Sequence, residues 1–266
     1  MKLNRTRPFR LEKMYFDCID EDGNCFILYW SVMEIRFLRF IYSGLLFSDS
    51  DNTIFEKFSF KKTPRPGATR FLTVENPLLN IKGEWWQTDN PIYCPLLNNL
   101  KNGDLNWNCH HPKAESWIEY NGKIYRGYGY AETLFLSIKP WNLPFEVIKW
   151  GHFMSEKSTI IWIQLNGEQH INNLWYNGKE YNDGMILEDR VIFNKGGFVL
   201  LFQNISTLRE GEIIHILPKY HIIKALIKKS ILNGNETKYK AESFFAIDGK
   251  TIDNGWSLYE TVTWKK

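Results

Sequence analysis

Gly127-Tyr128-Gly129-Tyr130-Ala131-Glu132-Thr133 and Gly255-Trp256-Ser257-Leu258-Tyr259-Glu260-Thr261 share one plan: glycine, four residues, Glu-Thr, then an apolar alternation. The two glutamates stand 128 residues apart in a chain of 266, close to half its length. A fainter echo pairs Lys13–Asp17 and the hairpin after it with Lys149–Phe153 and Glu156–Ile163. Two echoes in the same order at nearly the same offset predict two similar domains. The join falls at Lys139-Pro140-Trp141-Asn142-Leu143-Pro144, where two prolines in one short stretch exclude a central strand. Domain one is expected at residues 1–138 and domain two at 145–266.

Working outward, the segments around these motifs read as short strands divided by turns. Asp22-Gly23-Asn24 separates Tyr15–Ile19 from Cys25–Trp30, and Asn121-Gly122 separates Ser116–Tyr120 from Lys123–Tyr125. Asn177-Gly178, Gly196-Gly197 and Asp248-Gly249 punctuate the second half in the same way. Eleven Trp, thirteen Tyr and eighteen Phe make up 16% of the chain, and Ala is scarce. That balance favours pleated surfaces over helices. No segment of ten or more residues has a clear helical pattern. Tyr220–Ile231 carries some 3.6-residue periodicity, but its β-branched content suits a strand equally well. The chain therefore reads as all-β, built as antiparallel barrels or sandwiches.

A net charge of +3, with no basic run longer than Lys228-Lys229, argues against a nucleic-acid partner. The most apolar stretch, Phe26 to Phe47, contains Glu34, Arg36 and Arg39, too many charges for a membrane span. Met1 to Pro8 lack the apolar core of a signal peptide, so a soluble, cytoplasmic protein is expected. Four cysteines without a CxxC pair are no disulfide framework. Cys18 and Cys25 are close enough to meet across a hairpin, but free thiols are the expectation.

Tyr130 and Glu132, two apart on a strand, share a face. If that face is a barrel interior, burial among rings favours the neutral, acidic form of the carboxyl. The alternative leaves Glu132 in solvent and Tyr130 in the core. In Trp107-Asn108-Cys109-His110-His111, alternation sends adjacent side chains to opposite faces, and no distant Cys/His cluster completes a tetrahedral set, so no metal is expected. Trp107 is expected as a wall of the core or pocket, and His110 or His111 as a proton donor to a ligand. Trp150 and His152 share a face, with Gly151 between them admitting a ring or backbone, and His152 is either a satisfied core residue or a functional one. Trp162 lies in the alternating segment Thr159–Leu165 and lines whatever cavity that strand borders. GxSxG, Walker, dinucleotide-binding and HExxH motifs are all missing from the sequence, so no cofactor is expected.

These residues also resemble a family. Leu11-Glu12-Lys13-Met14-Tyr15-Phe16-Asp17 with Asp20-Glu21-Asp22-Gly23 looks like the first hairpin of the lipocalin-like carotenoid 1,2-hydratases (hydroxyneurosporene synthases). Leu105-Asn106-Trp107-Asn108-Cys109, the Gly127–Glu132 strand, Trp150-Gly151-His152 and the closing Gly255–Trp264 segment resemble the rest of that pattern. Tocopherol cyclases and fungal Diels–Alder cyclases are similar in architecture. The resemblance implies two lipocalin-like antiparallel β-barrel domains packed together, with an apolar ligand between or inside them. The family's acidic Tyr-x-Asp pair falls on Tyr130 and Glu132, with Glu in place of Asp. The Trp of its His-x-Trp pair falls on Trp107, while Leu105 stands where the His would be.

The resemblance implies cofactor-free chemistry on an apolar polyene or prenyl-type substrate. Glu132 protonates a double bond, Tyr130 orients it, and Trp107, Trp150 and Trp162 line the pocket around the cation. Water then adds, with His152 as its base, or a ring closes. Two other readings use the same residues: a non-catalytic carrier of a hydrophobic small molecule, and a cyclase or isomerase that works by shape alone.

Overall fold

Three of the expected turns have positive φ at both central residues: Asn121-Gly122 (52° and 77°), Asn177-Gly178 (47° and 76°) and Asp248-Gly249 (50° and 78°). This is the type I′ backbone, whose twist matches that of the strands it joins. At the first hairpin the Gly23 N–H donates to the Asp20 carbonyl, and the Asp20 carboxylate takes the Asn24 N–H at 2.8 Å. The computed structural model describes residues 9–35, 38–67, 70–99, 103–139, 142–193, 197–212 and 234–264. Tyr220–Ile231, Gly196 and the Pro140-Trp141 part of the join lie outside them.

The chain divides into two units, Met1–Asn142 and Leu143–Lys266. The first contains β1 (Phe9–Asp20), β2 (Cys25–Ile35), β3 (Leu38–Ser48), β4 (Ile54–Ser59), β5 (Phe71–Asn76), β6 (Ile81–Gln87), β7 (Ile92–Asn99), β8 (Gly103–Tyr120) and β9 (Lys123–Leu136). They form one antiparallel sheet in the order β4-β3-β2-β1-β9-β8-β6-β5, with β7 also on β8. The second unit contains β10 (Phe145–Met154), β11 (Thr159–Gly167), β12 (Ile171–Tyr176), β13 (Lys179–Tyr181), β14 (Gly184–Ile186), β15 (Arg190–Phe193), β16 (Phe198–Glu212), β17 (Gly234–Ile247) and β18 (Lys250–Trp264). Their order is β13-β12-β11-β10-β18-β17-β16-β15-β14, and Asn172 Nδ2 in β12 donates to the Gly184 carbonyl in β14 at 2.6 Å. That bond draws the two ends of the sheet together into a nearly closed barrel. The protein is all-β, with two lipocalin-like antiparallel sheets. Among the described residues, no helix is long and apolar enough to cross a membrane.

Each sheet curls around its own apolar interior. Met14, Phe16, Leu28, Trp30, Trp85 and Ile118 fill the first. Phe153, Trp162, Leu174, Phe193, Phe202 and Phe245 fill the second. The small residues of Gly127-Tyr-Gly-Tyr-Ala face inward for a steric reason: a Cβ on Gly129 would lie 2.5 Å from the Trp85 indole and from the Asp17 carbonyl oxygen.

The two sheets run in corresponding strand order, but one echo read from the sequence is out of step. Tyr15 pairs with Glu132 across β1 and β9, while Trp150 pairs with Glu260 across β10 and β18. Tyr15 thus corresponds to Trp150 and Asp17 to His152, one residue off the Lys13/Lys149 alignment read from the sequence. In a strand that single step exchanges the faces. Cys18 pairs with Phe26 and Cys25 with Ile19, so the two thiols point to opposite faces and are not joined in a disulfide.

Gly151 tests the inward packing of the second unit, since a Cβ there collides with the Trp162 indole and Cβ of Tyr259. Gly151→Ala is expected to destabilise the protein by about 1–3 kcal/mol, seen as a lower urea midpoint at unchanged slope. An unchanged midpoint would show that the indole has room.

Candidate active site

Strand alternation places the sequence-predicted pair. On β1, Met14, Phe16 and Cys18 point into the first core, so Tyr15 and Asp17 point the other way. On β9, Ala131 points in, so Tyr130 and Glu132 share the outward face with them. The acid does not face the barrel interior, and neither is Tyr130 part of the apolar cluster. Their face is nevertheless buried: Tyr130 and Asp17 are fully enclosed, Tyr15 nearly so, and Glu132 is half-buried.

Four residues on two neighbouring strands form a square. Tyr15 stands opposite Glu132 and Asp17 opposite Tyr130. Each strand contributes a Tyr-x-acid pair, with the Tyr15 phenol bonded to the Asp17 carboxylate and Tyr130 Oη donating to Glu132 Oε2 at 2.6 Å. Asp17 Oδ1 also accepts the Tyr130 backbone N–H at 3.0 Å. From β8, the Trp107 indole N–H donates to the same Glu132 oxygen, and Cys109 hydrogen-bonds with the Tyr130 hydroxyl. The rings of Tyr15 and Tyr130 meet edge to face at 6.0 Å, and Tyr29 extends the stack at 5.5 Å from Tyr15.

Electrostatics set the roles. Burial, then the Asp17 carboxylate, holds the Tyr15 phenol well above its usual range. Burial, then Cys109 and Glu132, does the same for Tyr130. Both phenols therefore remain protonated donors at neutral pH. Burial likewise pushes the Cys109 thiol up, which excludes a thiolate nucleophile.

The second sheet repeats the frame with other chemistry. Trp150 and His152 face away from its core, their rings 5.7 Å apart. Trp162 points inward against Phe202 and Tyr259, so Trp150 and Trp162 lie on opposite faces and do not line one cavity. Glu260, the counterpart of Glu132, is ion-paired to the buried Lys238, which also holds Glu236 at 3.1 Å.

The adjacent histidines separate at two bulges in β8, one between Cys109 and His111 and one between His111 and Ala114. His110 Nε2 lies 2.8 Å from Thr133 Oγ1, and His111 Nε2 donates to the Arg70 carbonyl at 3.3 Å. Among the described residues, no cluster of three His, Cys, Asp or Glu side chains is placed to hold a metal. His110 borders a polar recess of about 400 Å³ with Arg70, Thr88, Asp89 and Tyr93. This recess and two smaller cavities of the first unit are lined by residues other than Tyr130 and Glu132. Sequence reasoning passes over Tyr15 and Asp17, and considers Cys109 only as a metal ligand. The available signal is spacing: Tyr15-Phe16-Asp17 repeats the Tyr-x-acid pattern of Tyr130-Ala131-Glu132.

No family model matches the chain, and no curated protein matches it. Solved structures do resemble it. CghA with Sch210972 aligns at 11% identity over 96% of this chain and 89% of that one, with a TM-score of 0.56. An AttH-type protein from Nitrosomonas europaea aligns at 9% identity over 96% and 92%, with a TM-score of 0.54. Kievitone hydratase from Nectria haematococca aligns at 8% identity over 99% and 90%, also at 0.54. At these identities the common property is the fold, here the whole two-unit, all-β architecture implied by the resemblance read from the sequence.

Burial, then His111 and Arg65, pushes the His110 imidazole down to about 4. The unfolded chain takes up that proton near its ordinary value of about 6.5, so the contribution to stability is complete above 6.5 and lost as pH falls toward 4. An NMR titration is expected to place the His110 midpoint near 4, with His110→Gln flattening the loss of stability over that window. A midpoint near the ordinary value would refute this.

Proposed function

We propose that the chain is a cofactor-independent enzyme that hydrates or cyclises an apolar polyene or prenyl-type substrate, with Glu132 as the acid. The observation that carries this reading is a single carboxyl oxygen held by two neutral donors, the Trp107 indole and the Tyr130 phenol, on a buried aromatic face. With Oε2 anchored by two donors, the carboxyl is oriented to deliver its proton. That proton bonds to one alkene carbon and leaves a tertiary cation on the other. The faces of Trp107, Tyr130 and Tyr15 stabilise the cation while it lasts. Water bonds to the cation and returns a proton to the Glu132 carboxylate, or an internal nucleophile closes a ring with the same return. Either way the enzyme ends as it began. Kievitone hydratase, a hydratase of the same fold, supports the reaction class.

His152 and Trp150 stand on the outward face of β10 in the second unit, and the steps above use residues of the first unit alone. Trp162 belongs to the core of its own unit, so its proposed contact with substrate passes to the outward-facing rings.

One observation favours a carrier instead. Hydrogen bonds donated to a carboxylate stabilise its charged form, and Glu132 Oε2 accepts two. A permanently ionised Glu132 binds a ligand's donor but protonates no olefin.

Glu132→Gln separates the two readings, because it keeps the shape and removes the acid. Assayed on a panel of prenyl alcohols and linear polyenes by the mass gain of water or by cyclised product, it is expected to lower turnover about 10²–10⁴-fold with little change in substrate binding. Tyr130→Phe is expected to cost roughly tenfold, about the effect of one hydrogen bond. If the Gln variant turns over any of these compounds at the unaltered rate, Glu132 is not the acid.

A further inference from the structure

The polar recess that His110 borders arises from a change of partner along β8. Ala114–Tyr120 pair with β6, whereas Gly103–Cys109 pair with β7. Between these stretches the two bulges interrupt the ladder, and Thr88-Asp89-Asn90-Pro91 connects β6 to β7. The backbone there is pinned. The Arg70 carbonyl accepts the Gln87 N–H at 3.0 Å and His111 Nε2 at 3.3 Å. The Thr88 N–H and hydroxyl both donate to the Lys113 carbonyl, at 3.1 and 3.0 Å. Gln87 Nε2 donates to the Asp89 carbonyl at 2.5 Å.

Three side chains of the lining stand outside this network. Among the described residues, the Arg70 guanidinium, the Asn90 amide and the Tyr93 hydroxyl make no hydrogen bond or ion pair, and all three residues are exposed. Tyr93 is 66% exposed, so its ring is open to a ligand. Arg70 and Asp89 bring one charge of each sign, and burial keeps His110 uncharged at neutral pH, so the recess has no net charge to select an ion. A prenyl chain would strip water from these polar groups and return no hydrogen bond. A nucleobase has two apolar faces, and Tyr93 is the one phenyl or indole ring among the described lining residues. The complementary molecule is neutral, polar around its rim, and weakly apolar on one face. It must also donate and accept at neighbouring atoms, as the Asn90 amide does.

We propose that this recess binds a neutral saccharide. One pyranose ring lies with its C–H face on Tyr93, and its vicinal hydroxyls bond the Arg70 guanidinium and the Asn90 amide. A volume of about 400 Å³ suits such a ring together with bridging waters. The pinned backbone holds the walls in place before the ligand arrives, which lowers the ordering cost of binding. The lining contains neither Tyr130 nor Glu132, so the site neither uses nor requires the reaction proposed above.

Titration of the whole protein, followed by NMR, with the methyl pyranosides of glucose, galactose and mannose tests it. Cyclohexanol, adenosine and inorganic phosphate serve as comparisons. At least one pyranoside is expected to bind saturably and to shift the Tyr93 ring resonances, with each comparison compound at least tenfold weaker. Tyr93→Ala and Arg70→Ala should each weaken that pyranoside about tenfold. Both side chains are exposed and unpartnered, so the urea midpoint of either variant is expected to stay unchanged, which separates lost binding from lost folding. The measurement needs no turnover, so it stands whether or not Glu132 is an acid. Three outcomes overturn the proposal: no saturable binding of any of the three pyranosides; a comparison compound that binds as tightly; or undiminished pyranoside binding in both Tyr93→Ala and Arg70→Ala.

Discussion

One indole governs the first half of the molecule. Trp85 lies where a side chain on Gly129 would be, and its N–H donates to the Asp17 carbonyl at 2.6 Å. It thereby joins β6, β9 and β1 from within, through a group that is completely buried. The inward stripe Gly129 and Ala131 is small because Trp85 is large. With the register held from inside, the outward stripe has no choice of partner: Tyr130 faces Asp17, and Glu132 faces Tyr15. A slip of one residue would carry Glu132 into the apolar core and Ala131 out of it. Apolar packing on one face of β9 and the Tyr-x-acid square on the other are thus a single constraint.

The second half shows what the same frame becomes under different electrostatics. Glu260 occupies the place of Glu132, but its partner is Lys238, itself shared with Glu236. Removing one partner of such a buried pair typically costs about 3–5 kcal/mol, because the remaining charge stays enclosed. The repeat has therefore kept a carboxyl at both positions and diverged in what surrounds it. One is locked in a charge network that holds a sheet together. The other sits among phenol, indole and thiol, where the Trp107 and Tyr130 donors hold one of its oxygens.

Much of this is legible in the linear sequence. Asn-Gly and Asp-Gly turns announce themselves because few residue pairs tolerate two successive positive φ values. The Gly-x-x-x-x-Glu-Thr repeat marks the two strands that sit at equivalent places in both sheets. A family resemblance groups Tyr130, Glu132 and Trp107, three residues that hydrogen-bond to one another through Glu132 Oε2. Asp17 escapes such a reading because it bonds the Tyr130 backbone across 113 residues of chain. Cys109 is weighed there only as a metal ligand, because its place beside Tyr130 and Glu132 depends on the register of β8 against β9.

Composition, turn chemistry and the internal repeat determined by themselves that this chain is all-β, duplicated, and equipped with a Tyr-x-Glu pair on a strand. Those are local properties, set by which residues accept a given φ, ψ and side-chain period. Tertiary structure decided which way each strand faces, and with it that Glu132 lies outside the barrel core and that Trp150 and Trp162 are on opposite faces. Such facts depend on register between distant strands and on the volume of one indole, neither of which a linear pattern encodes.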